Sequence, residues 1–373
     1  MLTIKFQSKR IQSRHKTARL MASLGGIFLS DDKIKLRNTE TMKYRSVVIT
    51  KKGSPKVLKI IRNDLRQPKP GEARIKILAT GVGRTDIVMR YGFYPFAPRI
   101  PFVPGYEIIG VVDEIGEDVS RVAVGDRVAA LTVYGGYAEY AYLNEEHLVK
   151  TPTTLDPAEA VSLILNYVTA YQILHRFAKV KSGDKVLITG ASGGVGTALV
   201  QLGKLAMLTT YGAASVNKHD VLIEHGAIPI DYRSQNFLDV IRKAETNGLD
   251  FVVDGIGGNY IQRGFALLRR GGKYVAYGNS GFIAFFLDLL KLQFFNWLPN
   301  GKSGEFYGIT ALYRKDKQPF VDDLLVLFKL LEEGKLKPII SMKFPILEAA
   351  KANELLESGR TNGKIVLLAP ELL

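Results

Sequence analysis

The residues best placed to do chemistry are seven consecutive ones, Gly190-Ala191-Ser192-Gly193-Gly194-Val195-Gly196, between an apolar stretch at 185–189 and a helical pattern at 196–207. Glycine permits a tight turn there and lets backbone N–H groups approach a pyrophosphate, and the helix that follows adds its positive amino end. A glycine cluster alone is weak evidence. Between a strand and a helix it reads as a dinucleotide-binding turn. NAD sites usually place an Asp or Glu about 20 residues further on, to hold the ribose hydroxyls. That point falls in Tyr211-Gly212-Ala213-Ala214, which has no carboxylate, and Lys218 and His219 follow. A carboxylate would repel a 2′-phosphate and Lys218 would attract it, so the expected cofactor is NADPH. The plainer alternative is that Lys218 is a solvated helix residue.

Other chemistries are excluded by composition. The 373-residue chain has no cysteine, which removes disulfides, thiol nucleophiles, iron–sulfur clusters and thiolate zinc sites. Its five histidines, at 15, 147, 175, 219 and 225, include no pair with the helical spacing of a zinc site, and no metal is expected.

These residues need a scaffold. From Tyr44 to about Leu148, short apolar stretches alternate with Gly, Pro and Asp, which predicts a strand-rich region. A helical pattern runs from Pro157 to Phe177, with Asp156 as its start signal. Strands are then expected at 185–189, 208–211, 228–231, 251–254 and 273–277, and helices at 196–207, 219–225, 237–245 and 260–269. Alternation at this pace predicts a doubly wound parallel sheet in an α/β protein. Helices at 319–333 and 347–358 and a last strand at 364–368 are expected to return to the first region.

Motifs in order sharpen this reading. Pro104-Gly105-Tyr106-Glu107, Val124-Gly125-Asp126-Arg127-Val128, Gly135-Gly136-Tyr137-Ala138-Glu139-Tyr140, Asn166-Tyr167-Val168-Thr169-Ala170-Tyr171 and the glycine turn resemble the medium-chain dehydrogenase/reductase superfamily, in its zinc-free quinone oxidoreductase (zeta-crystallin-like) branch. Lys218-His219 and Pro229-Ile230-Asp231-Tyr232 lean toward the synaptic-vesicle membrane protein branch. The resemblance implies a GroES-like catalytic domain at 42–160 and 315–373, and a Rossmann NADP-binding domain at 161–314. It also implies that Gly83 and Tyr106 stand where zinc alcohol dehydrogenases carry cysteine and histidine ligands.

Without a metal, the chemistry that fits is hydride transfer to an acceptor that is already electrophilic, a quinone or the β-carbon of an enone or enal. Hydroxyls would then stabilise the developing oxyanion. The candidates are Thr85, Tyr94, Tyr106 and Tyr167; Thr85 matches the relay hydroxyl of the alcohol dehydrogenases, and Tyr106 fills a vacated ligand position. For the cofactor the resemblance carries over Thr169, the turn at 192–196, Lys218, Tyr232, Gly278 and Arg360. The substrate expected is small, apolar and electrophilic, and a homodimer is the family's usual assembly.

The net charge of +15 is shared between the amino end and the rest. Residues 1–41 hold nine Lys/Arg against three Asp/Glu. Basic, hydroxyl-rich and free of acid up to Leu29, this end reads as an unstructured extension before Met42, as an organelle transit peptide, or as a surface-binding arm. The cytoplasm is the expected location, or an organelle if the transit reading holds. No arginine-rich tract with interleaved aromatics suggests nucleic acid. The apolar segment 282–298 is broken by Asp288 and Lys291, so it is no bilayer span. It could pack in a core or an oligomer, cover a substrate, or touch a membrane surface.

Overall fold

The computed structural model describes residues 42–278 and 282–373, so the expectations for residues 1–41 lie outside the described residues. The rhythm read from the sequence becomes one sheet. Strands β8 (Lys185–Thr189), β9 (Thr209–Ala214), β10 (Ile228–Asp231), β11 (Leu249–Asp254), β12 (Leu268–Tyr277) and β13 (Ser303–Tyr307) all run parallel, in the order β10-β9-β8-β11-β12-β13. Parallel neighbours need crossovers, and helices between successive strands supply them. Val186, Leu187 and Ile188 are fully buried, as an apolar strand covered on both faces must be. Strand order reverses between β8 and β11, and a crevice for ligands opens at the carboxyl ends on either side of such a reversal.

A second, mixed sheet takes in β3 (Glu72–Val82), β4 (Ile108–Ile115), β5 (Arg127–Ala130), β6 (Tyr140–Asn144) and β7 (Val149–Lys150). It is completed by β14 (Ile340–Pro345) and β15 (Lys364–Leu368), the latter antiparallel to β3. β1 (Lys43–Ile49) and β2 (Leu58–Asp64) form a separate hairpin, and helix α1 (Arg84–Arg90) follows β3. The fold is therefore α/β, with a strand-rich GroES-like part beside a doubly wound Rossmann sheet.

The helix expected at 157–177 is present but irregular. α2 (Pro157–Ser162) and α3 (Val168–Tyr171) are linked by a π-helical stretch at Leu163–Tyr167, and a second one ends at Ala178. α2 packs on β3, β4 and β15, while α3 packs on α4 (Gly194–Leu205), so this rod joins the two sheets. α4 itself starts two residues before the expected Gly196, inside the glycine turn. Elements that the sequence reading missed include β2, β13, β14, α1 and α9 (Ile309–Lys315). β2 is mostly exposed and lacks a clean apolar alternation, so no periodicity marks it.

Asp156 caps α2 by accepting from the amides of Ala158 and Glu159 at 2.9 and 3.0 Å. Asp156→Ala should cost about 1 kcal/mol of stability, which urea unfolding would read as a lower midpoint with unchanged slope.

Candidate functional site

The glycine turn is built by close packing. Gly190 has φ +66°, a conformation other residues rarely adopt, and the Gly193 amide donates to its carbonyl at 3.0 Å. A Cβ on Gly196 would strike the Gly190 carbonyl and the Ala191 backbone, and one on Gly194 would land on the Asn166 side-chain amide. α4 can therefore start directly at the end of β8. The amides of Gly194, Val195 and Gly196 open α4, where no preceding turn supplies acceptors, so their N–H groups are available to an anion. Buried Ser192 uses its carbonyl differently, accepting from the Gly363 amide at 2.9 Å.

Beyond the end of β9 stands a basic group. Lys218 closes a short turn ahead of α5 (His219–Glu224), and its Nζ donates to the carbonyls of Gly359 and Thr361 at 2.9 and 2.8 Å. Arg360 lies between those two carbonyls in sequence, its Nε donating to Ser358 Oγ at 3.2 Å. Tyr232 is largely exposed after β10, with the Arg233 guanidinium 5.8 Å from its ring centre. Partial burial, helped by the Arg233 charge, lowers the Lys218 pKa. Lys218 and Arg233 thus lie close enough for their charges to interact, and Arg360 sits in the loop that Lys218 binds. The end of β9 carries no carboxylate, while Asp231 at the end of β10 accepts from the Arg233 amide at 3.2 Å. Arg233 was missed by the sequence reading, although a cation directly after Tyr232 was a usable signal.

At the other end of the cleft, hydroxyls meet. Tyr94 Oη lies 2.6 Å from Tyr106 Oη and 2.7 Å from Thr310 Oγ1, and Tyr106 also hydrogen-bonds Thr310. Tyr94 and Tyr106 come from the segment between α1 and β4, whereas Thr310 lies on α9, just past the carboxyl end of β13. The trio therefore bridges the two parts of the molecule on the same edge of the parallel sheet as the glycine turn. Burial raises the pKa of both tyrosines, Tyr106 most strongly, so both stay protonated and can donate. Thr310 had not been singled out, because nothing in its local sequence distinguishes it.

The remaining candidates are scattered. Thr85 is half-buried on α1 and is not part of the trio. Tyr167 is buried with no hydrogen-bond partner, and burial followed by the Glu159 charge pushes its pKa up. Thr169 is buried on α3 beside the Tyr307 hydroxyl, which donates to Gln172 Oε1 at 2.8 Å. Gly278, with φ +79°, follows β12 opposite the Gly255 carbonyl.

Beneath the site lies a buried charge network. Asp86 accepts from the amides of Gly83 and Gly105 at 2.8 and 3.0 Å, fixing the neighbourhood of positions 83 and 106. Glu107 accepts from the Leu165 amide at 2.6 Å and pairs with Lys364, both partners being almost fully buried. Among the described residues, no group of three His, Asp or Glu side chains could hold a metal ion.

Burial raises the carboxyl pKa of Asp86 and Glu107, and the Lys364 charge opposes that rise. Lys364→Met should then destabilise the protein by roughly 3–5 kcal/mol, because it strands buried carboxylates. The native state holds protons that the unfolded chain releases, so the deficit should grow as pH rises through the native carboxyl pKa values. Unfolding curves of both proteins at mildly acidic and at neutral pH would check this; an equal deficit at both would contradict it.

Comparison with known proteins agrees with this geometry. Residues 69–153 match the alcohol dehydrogenase GroES-like domain, and residues 225–367 match a domain described as zinc-binding dehydrogenase. Human quinone oxidoreductase is 31% identical over 332 residues, covering 87% of this chain and 97% of that protein. The human synaptic vesicle membrane protein VAT-1 homolog is 31% identical over 319 residues, covering 81% of this chain and 80% of its own length. A mycobacterial protein solved in complex with NADPH superposes with a TM-score of 0.78 at 27% identity, over 87% of this chain and 99% of that one. Sharing 31% identity with human quinone oxidoreductase over nearly the whole of both chains, this chain belongs to the zinc-free quinone oxidoreductase family of the medium-chain dehydrogenases/reductases.

Proposed function

We propose that this protein is an NADPH-dependent reductase that delivers hydride to a quinone or an α,β-unsaturated carbonyl without using a metal. The observation that carries this reading is the hydroxyl trio Tyr94–Tyr106–Thr310, which provides protonated donors where relatives with zinc place a Lewis acid. The residues fit the cofactor: the close-packed glycine turn leaves the first amides of α4 free for a pyrophosphate, and Lys218 with Arg233 suits a 2′-phosphate. NADPH, when bound, supplies the hydride. Relatives named quinone oxidoreductase and an enoyl reductase of similar fold support the acceptor class.

The chain's own residues do the rest. Gly194, Val195 and Gly196 would hold the pyrophosphate by their amides, and Lys218 and Arg233 would hold the far phosphate. One phenol of the pair turns its single O–H to the acceptor oxygen as it gains negative charge, while the other two hydroxyls donate within the trio. Thr310 keeps the two phenols oriented, and one hydroxyl passes on a proton that solvent replaces.

A second reading, contact with a membrane surface, is favoured by α8 (Phe282–Trp297). Phe286, Leu287, Leu290 and Phe294 are all exposed on it, and Trp297 at its end is 81% exposed. Among the described residues, no helix is long and apolar enough to cross a membrane. A second copy of the chain is the competing occupant of this face.

Three measurements test these readings. Fluorescence titration should show NADPH binding well ahead of NADH, and Lys218→Ala should reduce that preference by roughly tenfold; equal or absent binding of both cofactors would remove the reading. Tyr106→Phe should lower kcat with a quinone by about 10–100-fold while leaving NADPH affinity unchanged. Flotation with anionic liposomes should carry the wild-type protein upward and leave Phe294→Ser/Trp297→Ser behind.

A further inference from the structure

We propose that Asp288 and Lys291 are positioning residues for the nucleotide site, clamping the turn at 254–258 that forms one wall of the crevice. The proposal rests on the NADPH reading above. Asp288 and Lys291 interrupt the apolar sequence of α8, and both reach the same residue. The Gly258 amide donates to Asp288 Oδ1 and Oδ2 at 3.1 and 3.2 Å, and Lys291 Nζ donates to the Gly258 carbonyl at 3.0 Å. Lys291 also lies 3.4 Å from Asp288 Oδ1, so the two charges support each other.

The clamped turn follows β11, on the opposite side of the strand-order reversal from β9 and its basic group. It is in touch with two residues expected at the cofactor. Ile256 packs over Gly190, where an added Cβ would come within 3.4 Å of its side chain, and the Gly255 carbonyl faces Gly278. Its amides are held one after another. Gly255 donates to Thr189 Oγ1 at 3.2 Å, and Ile256 and Gly257 donate to Asp254 at 3.0 and 2.8 Å. Gly258 comes next, and α8 supplies its partner. Gly257 and Gly258 both have positive φ, a conformation that glycine permits but does not impose, so the far end of the turn depends on the partner that α8 supplies to Gly258.

The clamp is not what seats α8. That helix is fixed further along, by Phe295 stacked on Phe265 at 4.5 Å and by Asn296, which exchanges hydrogen bonds of 2.6 and 2.9 Å with Gly304. Removing Asp288 should therefore free the turn and leave the helix in place. A loosened Gly258 gives the turn more freedom beside Gly190 and Gly278, while the basic group around Lys218 is untouched.

The test uses the full chain and two probes that part company: NADPH, and adenosine 2′,5′-bisphosphate, which presents only the adenosine half. Asp288→Ala should weaken NADPH on the order of tenfold and leave the bisphosphate within about twofold of wild type. Lys291→Met should shift NADPH in the same direction by a smaller factor. Unchanged NADPH affinity in Asp288→Ala would overturn the proposal, and so would equal weakening of both probes, the mark of a general structural defect. If Asp288→Ala shows no thermal transition, Lys291→Met decides by the same pair of titrations. If wild-type protein binds neither probe, the cofactor reading itself has failed and the clamp goes with it.

Discussion

One carboxylate ties the molecule together. Glu107, at the entrance to β4, holds Lys364 of β15 with one oxygen and the Leu165 amide with the other. Those three points come from separate stretches of chain, and each stretch carries part of the site. Tyr106 precedes the first, Asn166 and Thr169 follow the second, and the loop of Arg360 and Gly363 precedes the third. A charge pair this deeply buried is worth little relative to a well-packed apolar pair, but breaking it is costly. Its value here is positional: it fixes the rod that includes Leu165 to the mixed sheet, and the same rod packs on α4 behind the glycine turn.

The chemistry follows from what fills that meeting place. Asp86 still organises the backbone around positions 83 and 106, as a scaffold for ligands would need, yet the side chains there are hydrogen and a phenol. A bound cation would stabilise developing negative charge by its own field. Neutral hydroxyls can do so only as aligned dipoles in a site that excludes water, which suits an acceptor already activated by conjugation. Burial keeps the phenols protonated and therefore useful as donors. The basic group at the opposite end is made the same way, from residues drawn in by distant chain. Two loop carbonyls hold the Lys218 ammonium, bringing Arg360 alongside.

How much of this was legible beforehand varied with the physics. β8 and β15 are where apolar runs bounded by turn residues placed them, since a strand covered on both faces leaves that local record. β2 left none, because its side chains are mostly in water. The π-helical stretches inside 157–178 were invisible as well: widening a helix by one residue per turn spoils the 3.6-residue period from which helices are read. Among site residues, Tyr106 was recoverable from its motif, whereas Thr310 and the role of Asp288 were not. Each matters through a partner far away in the chain, and no local pattern encodes that partner.

The sequence by itself determined the glycine turn between a strand and a helix and the missing acid after β9. Both depend on residue type and short-range spacing, which the chain carries whatever its shape. Only the tertiary structure decided that Tyr94 and Tyr106 meet Thr310 while Tyr167 stays apart, and that the apolar α8 lends an aspartate to the turn beside Gly190. Those pairings join elements whose separation in the chain has no fixed relation to their distance in space. They exist because burying the charge network and both sheet faces leaves few ways to bring the two parts of the molecule together.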